Sequence, residues 1–387
     1  MRVLFVVSED WFFVSHRLAL AERLIAAGYQ VGVATKIGRH AETIRARGVK
    51  LIPINFDRAS RNPIRELGTV VELIRAYRAY RPDIVHHVAM KPVVYGTLAA
   101  KFTGVSRIVN ALSGLGYVFT STGWRPTVAR QLVKLAYRLL LSGGRTIVQN
   151  PDDHGYLLRK RMVRADRISL ILGAGADLKV FRATDELPVS ETRPPLVVLP
   201  ARMLRDKGVA EFVAAARVLK ARGVVARFAL VGTPDPANPA TFDQAQLDVW
   251  AREGDVEYWG WRDDMVAVYR DAHIVCLPSY REGLPKTLIE AAASQRAVVT
   301  TDVPGCRDAV IADETALLVR SRESQGLTEA LARLLSDGDL RRSMGRRGRQ
   351  LAVEKFSLDR VTTDTIAIYR KFDEARPQAR ASSSAHR

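Results

Sequence analysis

The chain is poor in cysteine, in acids and in long apolar stretches, and each shortage removes a class of protein. Cys276 and Cys306 are its two cysteines. No CxxC pair exists, and two cysteines are too few for a disulfide scaffold or a cysteine-rich zinc site. They read as buried thiols of a reducing compartment. No run of about 20 apolar residues occurs, so no segment reads as a spanning helix. The longest uncharged stretch, Ile108 to Trp124, is broken by Asn110, Ser113, Thr120 and three glycines. The N-terminal apolar run Val3–Val7 meets Glu9 and Asp10 at once, the pattern of a buried strand rather than a signal peptide. Asp337-Gly-Asp339 reads as a turn between helices, not a metal site. No helix-turn-helix, zinc or RNP-like motif is present to support nucleic-acid binding.

What is present begins with charge. Over 387 residues, 59 lysines and arginines face 41 acids, a formal charge of +18. Residues 1–185 hold 29 basic and 13 acidic side chains, and residues 186–387 hold 30 and 28. Such asymmetry points to an anionic partner for the first half: nucleic acid, a membrane surface or a phosphorylated ligand.

Short β-branched runs alternate with helical patterns along most of the chain. Strands are expected at Val3–Val7, Val31–Ala34, Lys50–Ile54, Ile84–His87, Arg107–Val109, Thr146–Val148 and Ser169–Leu172. Ser15 is expected to cap the first helix. After a polar, proline-bearing stretch the pattern restarts, with strands at Leu196–Leu199, Phe228–Val231, Val256–Trp259, Ile274–Leu277 and Val298–Thr300. Three helices without intervening strands follow from Ser324. The reading is α/β, with two doubly wound parallel sheets. Domains are expected at 1–182 and 196–356, joined by a linker at 183–195. A crossover helix at 357–374 and a disordered tail at 375–387 complete the chain. Ligands of such sheets sit outside the carboxyl ends of strands, so a cleft between the domains is the expected site.

Two segments carry chemistry. In Leu199-Pro-Ala-Arg202-Met-Leu-Arg-Asp-Lys207-Gly208, two cations precede a helix N-terminus at the end of a strand, a cradle suited to a diphosphate. Solvated cations in a strand–helix loop are the plainer reading of that segment alone. In Pro278-Ser-Tyr-Arg-Glu282-Gly-Leu-Pro-Lys-Thr-Leu-Ile-Glu290, Glu282 sits in a loop and Gly283 permits close backbone approach. Pro285 suits a first helical turn. Glu290 lies inside the helix among apolar residues, where a carboxylate is costly unless hydrogen-bonded. Two such carboxylates could hold two hydroxyl-bearing parts of one ligand.

These residues resemble the donor site of the retaining GT-B glycosyltransferases of family GT4. The likeness extends to Gly175-Ala-Asp177, Leu230-Val-Gly232, Trp259-Gly-Trp-Arg-Asp-Asp264 and Thr301-Asp-Val-Pro-Gly-Cys-Arg307. Ser15-His-Arg, His86-His-Val-Ala-Met-Lys-Pro92 and Ser113-Gly-Leu-Gly-Tyr117 are similar to the capsule, O-antigen and lipid-linked glycan branch. The resemblance implies a GT-B fold: two Rossmann-like domains facing across a cleft, with C-terminal helices returning to the first. It implies transfer of a sugar from a nucleotide-sugar, with uridine as the expected base, to a polyprenyl-diphosphate-linked saccharide, without metal or other cofactor. Arg202 and Lys207 would bind the donor diphosphate. Glu282 would contact a sugar hydroxyl, with the Gly283, Leu284 and Pro285 backbone nearby. Glu290 would hold the ribose, and Trp261 and Arg262 would border the base. The chain departs from many relatives at Ser8–Ser15, where a glycine pair is usual, and at Asn110–Ser113, where a histidine is usual.

On the acceptor side the candidates are His16, His86 and Lys91, each weighed against a packed or solvated role. The basic helix Pro126–Leu141 and the aromatic loop from Tyr117 to Trp124 have the composition of an interfacial anchor. The expectation is a cytoplasmic protein, peripheral on the inner face of the membrane, with no nucleic-acid partner. Two alternatives stand beside the transferase: a non-transferring UDP-sugar enzyme such as a 2-epimerase, and a basic nucleic-acid-binding protein.

Overall fold

The computed structural model describes residues 1–57, 62–114 and 138–374. The chain divides into one unit of Met1–Ala174 plus Leu358 onward, and a second of Gly175–Ser357.

The first unit is built on β1 (Arg2–Glu9), β2 (Gln30–Lys36), β3 (Lys50–Pro53), β4 (Ile84–Val88), β5 (Ile108–Leu112), β6 (Arg145–Val148) and β7 (Ile168–Leu170). All pairings are parallel, in the order β3-β2-β1-β4-β5-β6-β7. β4 and β5 are buried at every residue, as apolar strands covered on both faces should be. Val3, Phe5 and Val7 face a core with Leu20, Ala21, Leu24, Ile368 and Tyr369, while Leu4 and Val6 face a second core with Leu73 and Tyr77. The last helix, Leu358–Glu374, thus covers one face of this sheet.

Ser15 is no helix cap. The residues expected as a loop form the helix Asp10–His16, which stops at Arg17, and a second helix runs Leu18–Ala26. Asp10 fixes the start of this insertion: its Oδ2 accepts the amides of Gly38 at 2.7 Å and His40 at 3.0 Å. The anchor candidates from Tyr117 to Trp124, most of the helix expected at Pro126–Leu141, and the tail from 375 lie outside the described residues.

The second unit carries β8 (Leu196–Pro200), β9 (Arg227–Val231), β10 (Glu257–Gly260), β11 (Ile274–Leu277), β12 (Ala297–Thr301) and β13 (Ala316–Val319). They too are parallel, in the order β10-β9-β8-β11-β12-β13. β13 went unread in the sequence. Asp337 is a helix cap: its Oδ1 accepts the Leu340 amide at 2.9 Å, opening the helix Gly338–Lys355. In each sheet the order reverses beside the first strand, at β1/β4 and at β8/β11. A crevice opens at such a switch point in doubly wound sheets.

The division falls at 174/175 rather than after 182. Ala176, with Leu178 and Phe181 beside it, lies against Ala292, Ala293 and Ala352, and Arg349 Nη1 donates to the Phe181 carbonyl at 2.8 Å. The stretch expected as a free linker is bound to the same unit. Arg341 and Glu186 form a buried ion pair with three N–O contacts of 3.0, 3.1 and 3.0 Å. Arg296, wholly buried, donates from Nη2 to the Thr184 carbonyl at 2.8 Å. His273 Nε2 reaches the Leu187 carbonyl at 3.0 Å.

Candidate active site

Four loops of the second unit meet at the carboxyl edge of its sheet, around the switch point. After β8 the chain passes Arg202 and turns through a short 3-10 segment, Arg205–Lys207. Gly208 follows at φ +73, before the helix Val209–Ala221. A Cβ on Gly208 would stand 2.3 Å from the Pro278 carbonyl oxygen. Only glycine lets the loops after β8 and β11 touch there. Across the adjoining gap, a Cβ on Gly305 would meet the carbonyl oxygen of Glu282 at 2.5 Å. The loop holding Glu282 is therefore clamped between two glycine contacts, one from each side.

The clamp brings together residues that the sequence placed 75 positions apart. Lys207 Nζ contacts Glu282 Oε1, and Ser279 Oγ donates to the same oxygen at 2.8 Å. Arg202 Nη1 pairs with Asp235 Oδ2 at 2.6 Å, in the loop after β9. Both cations are part-buried and carboxylate-paired. Low dielectric strengthens such charges. A diphosphate entering here would meet two cations already positioned by carboxylates.

Leu284 is buried, and Pro285 immediately precedes the helix Lys286–Ala293. Glu290 lies inside that helix at 5 % exposure. Its cost is met on both oxygens: Tyr269 donates to Oε2 at 3.1 Å, and Lys286 Nζ pairs with Oε1 at 2.6 Å. Burial, then the Glu290 charge, pushes the Tyr269 hydroxyl well above its ordinary pKa. It stays a donor at all working pH values. Phe181 meets the Tyr269 ring edge to face, with centroids 5.9 Å apart. Cys306 also adjoins the site. Burial, then the Glu282 charge, pushes its thiol up to about 12, so it is no nucleophile at neutral pH.

Trp261 is 40 % exposed just past β10, with Nε1 donating to Asp263 Oδ1 at 2.7 Å. The Arg262 guanidinium lies over the Trp259 ring, 5.6 Å from its centroid. β10 is the outer edge of the sheet.

Sequence reasoning missed Asp235 and Tyr269. Asp235 follows a strand, but only the order β9-β8-β11 reveals that its loop neighbours Arg202. Tyr269 was legible only as an apolar position of the helix Met265–Asp271.

The acceptor-side candidates lie in the first unit, and the structure gives two of them internal work. His86 is buried inside β4, with Nδ1 at 2.7 Å from the Tyr369 hydroxyl and its ring stacked on Phe5. Its Nδ1 is thereby spent on tying β4 to the last helix, the packed role against which the acceptor role was weighed. Lys91 Nζ donates to the Asp57 carbonyl and to Glu66 Oε1, both at 2.7 Å. It staples a loop to the helix Pro63–Tyr80 rather than standing as a solvated cation. His16 ends its helix, stacked on Phe12 at 4.1 Å between centroids.

The neighbouring His87 gives a pH prediction. It bonds Asn110 Oδ1 through Nδ1 at 2.7 Å and the Tyr77 hydroxyl through Nε2 at 2.9 Å. Burial holds its pKa down to about 4 against an ordinary 6.5. Between those values the unfolded chain binds the extra proton, so stability falls as pH drops from 6.5 towards 4. Urea midpoints measured across that window should decline, and His87→Gln should make the decline shallower, with His86 and His273, whose pKa values burial also lowers, supplying the rest. An equal slope in both proteins would refute the assignment.

Comparison with known proteins agrees with this fold. Residues 194–337 match the family described as glycosyl transferases group 1, and residues 2–150 match the family described as glycosyl transferase 4-like. One similar protein is the N,N'-diacetylbacillosaminyl-diphospho-undecaprenol alpha-1,3-N-acetylgalactosaminyltransferase of Campylobacter jejuni. It is 28% identical over 363 residues, 92% of this chain and 94% of that protein. Another is the UDP-Gal:alpha-D-GlcNAc-diphosphoundecaprenol alpha-1,3-galactosyltransferase of Escherichia coli, 22% identical across 71% of this chain and 72% of that one. Among solved structures, sucrose-phosphate synthase from Thermosynechococcus elongatus superposes with a TM-score of 0.79 at 22% identity, covering 97% of this chain and 100% of that one.

Proposed function

From the premise that the chain belongs to the GT4-like, group 1 glycosyltransferases of GT-B fold, we propose that it moves a sugar, with retention, from a UDP-sugar to a saccharide on polyprenyl diphosphate. The observation that carries this is the pairing of Lys207 with Glu282 and of Arg202 with Asp235 beside the β8/β11 switch point. Glu290 lies on the helix after β11, whose first turn meets the end of β8 where Thr287 Oγ1 donates to the Pro200 carbonyl at 2.9 Å. The names of the Campylobacter and Escherichia relatives supply the acceptor class, and the latter the uridine.

In this reading the bond from the anomeric carbon to the donor diphosphate breaks, and the acceptor hydroxyl oxygen bonds to that carbon on the same face. The hydroxyl proton passes to the departing diphosphate. Lys207 and Arg202 stabilise the charge that develops there. Glu282, held by Ser279 and Lys207, accepts from a sugar hydroxyl. Glu290, held by Tyr269, accepts from the ribose. Trp261 and Arg262 border the base. The two cations supply the positive charge that a divalent ion would otherwise bring, so no metal is needed. Turnover should be unchanged by excess EDTA, and an activity that EDTA abolishes and Mg²⁺ restores would overturn that part. Release of UDP only when undecaprenyl-diphosphate saccharide is added separates the transferase from a non-transferring enzyme of the same fold.

The acceptor class also fits a place at the cytoplasmic face of a membrane. Among the described residues no helix is long and apolar enough to span one. On the helix Pro63–Tyr80, Ile64 at 81 % and Leu67 at 64 % exposure share the outward face with Val71, Arg75 and Arg78. Apolar residues followed by cations that form no ion pair among the described residues suit the interface of an anionic bilayer. Vesicles rich in anionic lipid should float the protein at low salt and release it at high salt, while duplex DNA should bind far more weakly. DNA binding equal to vesicle binding would refute the membrane reading.

A further inference from the structure

The first unit buries a positive charge that its own acids do not neutralise. Arg17, at 5 % exposure, lies at the break between the helices Asp10–His16 and Leu18–Ala26. Its Nη1 donates weakly to the His16 carbonyl at 3.4 Å, and its Nε has no hydrogen-bond partner. No ion pair among the described residues includes it. Residues 58–61, 115–137 and 375–387 contain no aspartate or glutamate. Burial lowers its pKa to about 10, so it remains cationic at neutral pH. A buried guanidinium without a counter-charge is expensive unless an anion arrives from outside the chain.

Other donors beside it lack acceptors too. The amides of Leu18, Ala19 and Leu20 form the first turn of the helix that Arg17 opens, donors that a helix N-terminus leaves without intrahelical acceptors. The positive end of the helix dipole points the same way. His86 stands close enough for the Arg17 charge to depress its protonation, and its buried Nε2 has no partner. The Tyr369 hydroxyl, itself pushed far up by burial, serves Nδ1.

The location is also telling. Arg17 follows β1 and His86 lies on β4, the two strands that flank the switch point of this sheet. After β4, Ala89 adopts φ 74 and ψ 170 as it enters the helix Met90–Thr103. That backbone region favours glycine, and strain of this kind gathers at ligand sites.

We propose that Arg17 and the first turn of helix Leu18–Ala26 bind a phosphate group, as a phosphate or diphosphate ester, and that this group belongs to the acceptor. The site rests on unsatisfied donors in the first unit. Its assignment to the acceptor rests on the transferase reading above, so the two are tested separately. Inorganic diphosphate titrated into the full chain by calorimetry should fill two sites. Lys207→Ala should remove one and Arg17→Met the other. A single site that is lost in Lys207→Ala and kept in Arg17→Met overturns the proposal, whether or not transfer is ever detected.

The kinetic arm identifies the source of the phosphate. Arg17→Met should raise KM for the undecaprenyl-diphosphate acceptor about tenfold or more while donor KM holds, and Arg17→Lys should recover part of the loss. With the same saccharide on an uncharged carrier, wild type and Arg17→Met should have equal KM. Equal acceptor KM with the charged carrier would overturn the assignment to the acceptor. Melting curves establish that each variant folds. If Arg17→Met does not, Arg17→Lys and the wild-type site count carry the decision, and one site alone in the wild type refutes it.

Discussion

Lys207→Ala should lower kcat by about 10²-fold or more, and Arg202→Ala should do the same. In the unliganded site each cation is already fixed, Lys207 by Glu282 and Arg202 by Asp235. Little reorganisation is then needed when the donor diphosphate begins to leave, and preorganised charge acts most strongly as that bond breaks. The loss should therefore fall on kcat more than on donor KM. Lys207→Ala also strips a partner from Glu282, leaving Ser279 as its remaining donor. Lys207→Arg should recover less than a point charge would suggest, because a planar fork does not fit the same contact. Steady-state assays with a UDP-sugar and a lipid-linked acceptor test this, and near wild-type turnover in either alanine variant would remove it from the mechanism.

Glu186→Ala should destabilise the second unit by about 3–5 kcal/mol, the usual cost of stranding one partner of a buried ion pair. Arg341 is 3 % exposed, and besides Glu186 it donates from Nη1 to the Leu334 carbonyl at 2.7 Å. Removing the carboxylate leaves a cation in an apolar setting between two helices. The double change Glu186→Leu with Arg341→Met should cost much less than the single one, since it removes the charge together with its partner. Chemical denaturation of the three proteins gives the comparison. A single-variant loss under about 1 kcal/mol, the scale of an exposed pair, would show that water reaches the site.

Much of the architecture was legible because buried parallel strands are written as unbroken apolar runs. Val3–Val7, Leu196–Leu199 and Ile274–Leu277 needed no further context. The four-residue β13, Ala316–Val319, lacked the length to stand out beside Asp313-Glu314-Thr315. The insertion Asp10–His16 was hidden because its apolar residues are clustered aromatics without a clear helical period. Arg202, Lys207, Glu282 and Glu290 were readable from spacing and from resemblance. Their partners Asp235 and Tyr269 were not, since neither strand order nor helix orientation is written locally. The stretch Gly175-Ala-Asp-Leu-Lys-Val-Phe181 announced apolar residues to be buried, but not which of two cores would take them.

The same stretch, with the bound segment after it, decides where the chain can be cut. By composition, a donor-half fragment would start at Leu196, past the prolines. Such a fragment would discard Glu186, Thr184 and Leu187, and so strand Arg341, Arg296 and His273 at a raw surface. One beginning at Gly175 and ending at Ser357 keeps these partners of all three, together with the bond from the Ala176 amide to the Phe356 carbonyl at 2.8 Å. For the same reason a protease that favours polar, proline-bearing segments should find 183–190 a poor substrate.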